Sequence, residues 1–215
     1  MRKKPLLVIF LLLIFSVCAN AVSLEKRHQL CLKVGIWHIV DRTPAEIPLG
    51  RGEISIGNSG LVGGLSYGHW LLENLAITFS ANGIKFDITA STNTSDNLSE
   101  TAAVTSLLIG VKHYYLKSSL VSPLRPYYKV GIGPYFGSQS TSNSANADII
   151  TSRTELAIGG QMGVGLDVVA GRNFMLGIVI GYNLISDFNE PIGDSYNFSG
   201  PEFVFELSWL LGKGI

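Results

Sequence analysis

The sequence predicts an all-β protein, an eight-stranded antiparallel up-and-down transmembrane β-barrel. Three observations predict it. Stretches of roughly ten residues alternate apolar with small or polar side chains, which is the period of a strand. Beyond residue 21 no run of apolar residues is long enough for a membrane helix. The connectors between the stretches alternate in length, as they do when every strand crosses the same layer.

Residues 1–21 read as a signal peptide, because Arg2, Lys3 and Lys4 precede the apolar run Leu6–Val17 and the small-x-small pattern Ala19-Asn20-Ala21. Residues 22–29 are expected to form a short periplasmic N-terminal segment and residues 30–215 the barrel domain. The exported chain keeps only Cys31, so no internal disulfide holds it together.

The first strand is expected over 30–40, with Leu30, Leu32, Val34 and Ile36 on one face and Cys31, Lys33, Gly35 and Trp37 on the other. The second, 59–70, sets Leu61, Leu65 and Tyr67 against Val62, Gly64, Ser66, Gly68 and Trp70. The third, 75–90, begins with Leu75, Ile77 and Phe79 outward. It then changes phase, with Ile84, Phe86 and Ile88 outward and Lys85 and Asp87 inward, which predicts a β-bulge beside Asn82-Gly83.

The fourth, 101–116, opposes Leu107, Ile109 and Val111 to Ser106, Gly110 and Lys112, and the fifth, 126–137, opposes Tyr128, Val130 and Ile132 to Lys129, Gly131 and Gly133. In the sixth, 153–169, Leu156, Ile158, Met162, Val164 and Leu166 alternate with glycines, Gln161 and Asp167. The seventh, 174–186, is as clean as the sixth, and the eighth, 200–211, is the clearest: Phe203, Phe205, Leu207 and Trp209 alternate with Glu202, Glu206 and Ser208. Segments 71–74, 117–125 and 170–173 are the shorter connectors. Segments 41–58, 91–100, 138–152 and 187–199 are longer and mostly polar, and are expected outside the cell.

A sheet in hydrocarbon must close, since an open edge leaves backbone groups unsatisfied. A soluble barrel would carry charges along its whole polar face, whereas here that face is mostly Gly, Ala and Ser, which suits the narrow interior of eight strands. Its few charges, Lys33, Lys112, Lys129, Asp167 and Glu206, are expected to pair as a lumenal network. Trp37, Trp70, Tyr114, Tyr128, Tyr135, Tyr182 and Trp209 lie near strand ends and are expected to form two aromatic girdles at the membrane interfaces.

The runs Arg125-Pro-Tyr-Tyr-Lys-Val-Gly-Ile-Gly133, Gly159-Gly-Gln-Met-Gly-Val-Gly-Leu-Asp167 and Gly171-Arg-Asn-Phe-Met-Leu-Gly-Ile-Val-Ile-Gly-Tyr182 resemble the small eight-stranded outer-membrane β-barrel proteins of Gram-negative bacteria. The resemblance covers the mature chain as a pattern, and its motifs are structural. It implies an outer-membrane location, contact with outer-membrane lipid and lipopolysaccharide, and insertion by the barrel assembly machinery. The ending Trp209-Leu-Leu-Gly-Lys-Gly-Ile215 departs from the terminal aromatic frequent in such barrels.

No catalytic, metal or cofactor site is expected. His69 and His113 lie near strand ends on the lipid side, His28 and His38 are isolated, and none has ligands at metal-site spacing. Ser66 and His69 face opposite ways in one strand and cannot form a simple dyad. Sixteen basic residues against 16 acidic ones give no excess for nucleic acid. The expected function is a non-enzymatic integral outer-membrane barrel with a structural or surface-interaction role, its extracellular ligand open. A lipid A-modifying enzyme and a narrow channel for small solutes are the alternatives.

Overall fold

The computed structural model describes residues 23–40, 54–56, 59–90, 98–115, 124–143, 149–193 and 195–212, and the expected signal peptide lies outside them. The elements are β1 (His28–His38), β2 (Ile54–Ile56), β3 (Ser59–Leu72), β4 (Leu75–Ala90), β5 (Leu98–Tyr114), β6 (Leu124–Asn143), β7 (Ile149–Val169), β8 (Phe174–Ile185) and β9 (Gly200–Leu211). Eight of them form the barrel: neighbours are antiparallel, and the β4–β5 and β1–β9 ladders complete the ring. The short β2 pairs with the far end of β4 and prolongs the line of β3.

Alternation decides inside from outside. Outward Leu61 and Ile158 are 75% and 73% exposed, and the apolar outer face continues through Leu32, Phe79, Ile109, Val164, Ile180 and Phe205. Such a belt on a closed barrel is a surface for lipid. The inward faces are buried and carry most of the charge.

Four side chains expected in the girdles lie inside instead: Trp37, Trp70, Tyr114 and Tyr135 are at most 2% exposed. They share strand phase with Lys33, Ser66, Lys112 and Gly133, so the pleat turns them into the lumen. Tyr128, Tyr182 and Trp209 do stand on the outer face, Trp209 edge-on to Phe174. The inward rings find room because glycines face them. A Cβ on Gly159 would stand 2.7 Å from the Tyr135 ring, and one on Gly165 would stand 2.5 Å from Tyr127 Cζ.

The expected bulge in the third strand is absent. β4 keeps one register against β3 and β5 through Asn82 and Gly83, with Ile84 and Phe86 buried inside and Lys85 outside. The chemistry changes along the strand while the geometry does not: beyond Asn82 the inward positions 84 and 86 are apolar and the outward position 85 is a lysine. The side chains of Asp87 and Ile88 lie outside the described residues.

β6 and β7 also extend beyond their expected limits, because their ladder continues through Ser138–Ser142 and takes up most of the expected 138–152 connector. Within β6, Pro134 has no N–H to offer. The β5–β6 ladder accordingly skips Leu107–Leu108 opposite Gly133–Pro134 and resumes in register.

The nesting of tyrosines on glycines gives a prediction. Gly165→Val should destabilise the folded barrel by about 1–3 kcal/mol through overpacking against Tyr127. Gly63→Ala, whose Cβ would meet nothing, should be nearly neutral. Urea titration followed by the gel shift between folded and heated protein measures both.

Candidate functional site: the filled lumen

Three layers fill the interior. At the short-turn end the segment Ser23–Arg27 lies across the opening. Lys26 N–H donates to Trp70 O at 2.9 Å, Trp70 N–H donates to Arg27 O at 3.0 Å, and Leu24 is wholly buried. The Arg27 guanidinium holds this strap to the β7–β8 turn and to the end of β9, donating to Arg172 O at 2.9 Å, Asn173 Oδ1 at 3.1 Å and Leu210 O at 3.1 Å. Trp70 stacks on Tyr114 with ring centres 4.9 Å apart, and the Arg125 guanidinium lies 5.9 Å from the Tyr114 ring centre.

The middle layer is ionic. Lys33 and Glu206 face each other in the β1–β9 register, with Nζ 4.0 Å from Oε1. Lys112 lies 2.7 Å from Asp167 Oδ2 and 3.8 Å from Glu206 Oε2, and Lys129 lies 3.5 Å from Glu206 Oε1 and 3.8 Å from Glu202 Oε1. Three ammonium groups thus meet three carboxylates, all largely shielded from water. Lys112 and Lys129 oppose each other directly on β5 and β6, and they separate because Asp167 draws one and the β9 glutamates draw the other.

Neutral groups complete the coordination of these charges. Tyr127 donates to Glu206 Oε2 at 3.1 Å, Tyr114 donates to Asp167, and Lys33 donates to Ser80 Oγ at 3.2 Å. The Lys112 ammonium also sits 3.8 Å from the centre of the Tyr127 ring, a cation–π contact. Gln161 and Asn183 donate to Glu202 at 2.7 and 3.0 Å, and Tyr135 donates to Asn183 Oδ1 at 3.0 Å.

The structure therefore brings together the five charges named from the sequence and adds Glu202. That residue shares the inward phase of Glu206, which was a readable signal. The roles of Tyr114, Tyr127, Gln161 and Asn183 depend on cross-strand register and carried no signal in sequence.

The third layer closes the long-connector end. Segment 187–199, expected as an outward polar loop, folds its described residues into the mouth and buries Phe188, Ile192 and Phe198. Phe198 meets Phe86 and Phe188 at ring-centre distances of 5.6 and 5.9 Å. The polar residues of the segment tie it to the end of β8 and to itself: Asn197 donates to Ile185 O and Asp187 Oδ1, both at 2.8 Å, and Ser199 Oγ accepts from Ile185 N–H at 2.8 Å. Gln139 Oε1 accepts from Gly193 N–H at 2.8 Å, and Arg153 pairs with Glu190, fastening the segment to β6 and β7.

The ionic layer couples its own members and not the strap, and double-mutant cycles will show it. Lys112→Met combined with Asp167→Asn should give a coupling of about 0.5–3 kcal/mol in unfolding free energy. Asp167→Asn combined with Arg27→Ala, in the strap, should be additive within about 0.5 kcal/mol.

No family model matches the chain, and no curated protein matches it in sequence. Solved structures do. The attachment invasion locus protein Ail of Yersinia pestis, crystallised with the heparin analogue sucrose octasulfate, superposes with a TM-score of 0.52 at 11% identity, covering 87% of this chain and 99% of Ail. A second Ail crystal structure gives a TM-score of 0.50 at 9% identity over 87% of this chain and 99% of that one. Neisserial surface protein A gives 0.49 at 14% identity, with 86% and 97% covered. The identities are low while the coverage is nearly complete, and the chain has the fold of the small eight-stranded bacterial outer-membrane β-barrels.

Proposed function

We propose that the protein is a non-conducting, non-enzymatic outer-membrane barrel, a membrane anchor that presents its long-connector end to the outside of the cell. The observation that carries this reading is the filled lumen: a strap at one mouth, an aromatic wedge at the other and a neutral ionic layer between them. A pore needs a continuous wet path, and here Lys112, Asp167 and Glu206 spend their charges on one another. The β4–β5 and β6–β7 hairpins rise beyond the ends of β1, β8 and β9 at the long-connector end, and they offer the surface through which an extracellular partner is met.

A specific contact supports a second reading. His38 Nδ1 lies 2.7 Å from Ser59 Oγ on the outer wall at the long-connector end, where lipid acyl esters would be in reach. A nucleophile and base pair needs a third group to orient the imidazole. Among the described residues no carboxylate is hydrogen-bonded to His38, so hydrolysis of lipid A stands second.

Two measurements separate the readings. In planar bilayers the folded protein should show no large, steady single-channel conductance, and such a conductance would contradict the sealed lumen. Lipid A from cells with and without the protein should have the same mass spectrum. Loss of an acyl chain that is abolished by Ser59→Ala would establish the hydrolytic reading instead.

A further inference from the structure

The outer wall at the short-turn end carries a pair of histidines that the sealed lumen does not involve. His28 on β1 and His69 on β3 are direct partners in the antiparallel register. The adjacent pair, Arg27 and Trp70, carries the ladder hydrogen bond, with Trp70 N–H donating to Arg27 O at 3.0 Å. Pair types alternate along an antiparallel ladder, so His28 and His69 occupy a non-hydrogen-bonded position, where opposed side chains come closest. Their ring centres are 4.7 Å apart and their planes are inclined by 27°.

We propose that His28 and His69 form a two-imidazole site for a first-row divalent transition ion, Zn²⁺ or Cu²⁺, at the membrane boundary. Two observations support it, the first being the separation itself. Metal–nitrogen bonds of about 2.0–2.1 Å in tetrahedral geometry hold two imidazole centres about 5 Å apart, close to the separation found. The second is an orienting partner: His28 Nδ1 lies 2.6 Å from the Tyr67 hydroxyl oxygen. In the tautomer that donates Nδ1–H to that oxygen, Nε2 keeps its lone pair, as in ligating histidines whose other ring nitrogen is held by an oxygen. With His28 held on Tyr67, a rotation of the His69 ring about its terminal torsion would turn a second lone pair towards that of His28 Nε2.

Among the described residues no third histidine, cysteine or carboxylate joins the pair. Water or a lipid phosphate oxygen completes the coordination, and the imidazole donors favour Zn²⁺ and Cu²⁺ over Mg²⁺ and Ca²⁺. His113 is not part of the site, since it faces Asn74 at 3.1 Å and packs against Tyr128.

The test uses untagged protein folded in detergent, each preparation being scored as folded by its gel shift on heating. With one equivalent of Cu²⁺, the electron paramagnetic resonance spectrum should report two nitrogen ligands. His28→Asn and His69→Asn should each reduce the count to one and weaken Cu²⁺ binding at least tenfold, whereas His38→Asn and His113→Asn should change neither. Tyr67→Phe should keep both nitrogens and weaken binding about tenfold, the effect of losing an orienting partner. Zn²⁺ should raise the unfolding temperature of the wild type but not of the two asparagine variants, and a hundredfold excess of Mg²⁺ should not displace it. A single-nitrogen spectrum for the wild type, or two nitrogens retained in His69→Asn, overturns the proposal. If an asparagine variant fails to fold, the glutamine variant at the same position is read in its place.

Discussion

Every backbone N–H and C=O within the bilayer must find its partner inside the chain, and ring closure is how this molecule meets that demand. Once β1 pairs with both β3 and β9, no edge is left in the hydrocarbon. Closure with eight strands then fixes the radius, and the radius makes the interior too small for free solvent. From that point the inward residues are under a packing constraint as strict as that of a soluble core. The glycines of β7 and β8 are the complement of the tyrosines and carboxylates that oppose them, as at Gly177, where a Cβ would stand 2.6 Å from Asp167 Oδ1.

The ionic layer follows from the same constraint. Charges out of reach of water are costly unless each meets an opposite charge and its remaining hydrogen-bonding capacity is used. Glu206 is the hub, because it lies within 4.0 Å of Lys33, Lys112 and Lys129 and also accepts from Tyr127. Asp167 is shared by Lys112 and Tyr114. Removing Glu206 therefore takes a contact from three lysines and from Tyr127 at once, whereas removing one lysine leaves each of its carboxylates with another partner. The layer is asymmetric in its tolerance.

Much of the architecture was legible because lipid and lumen impose opposite chemistry on adjacent residues. β9 shows it best, with Phe203 and Phe205 outward and Glu202 and Glu206 inward. Legibility failed where that contrast inverts. At Ile84, Lys85 and Phe86 the outward residue is a lysine and the inward ones face the aromatic wedge, so a regular strand imitates a bulge. Trp37 and Tyr135 were misplaced because nearness to a strand end suggested an interface, although their phase already matched the inward residues. The burial of Phe188, Ile192 and Phe198 left no periodic trace, since an irregular segment has no period. The meeting of His28 with His69 required the β1–β3 register, which no local pattern encodes.

The aromatic wedge also bears on the curvature of the molecule. Its receptor is made by Phe86 on β4 and by Gly137 on β6, where a Cβ would stand 2.8 Å from Ile192. The wedge itself belongs to the link between β8 and β9, the last hairpin of the chain. The receiving wall takes its shape only when strands from both halves of the sequence curve around a common axis. Phe188, Ile192 and Phe198 therefore seat on a wall that exists only once β4 to β9 curve round to face one another, which makes the wedge a reporter of barrel curvature rather than of any single hairpin.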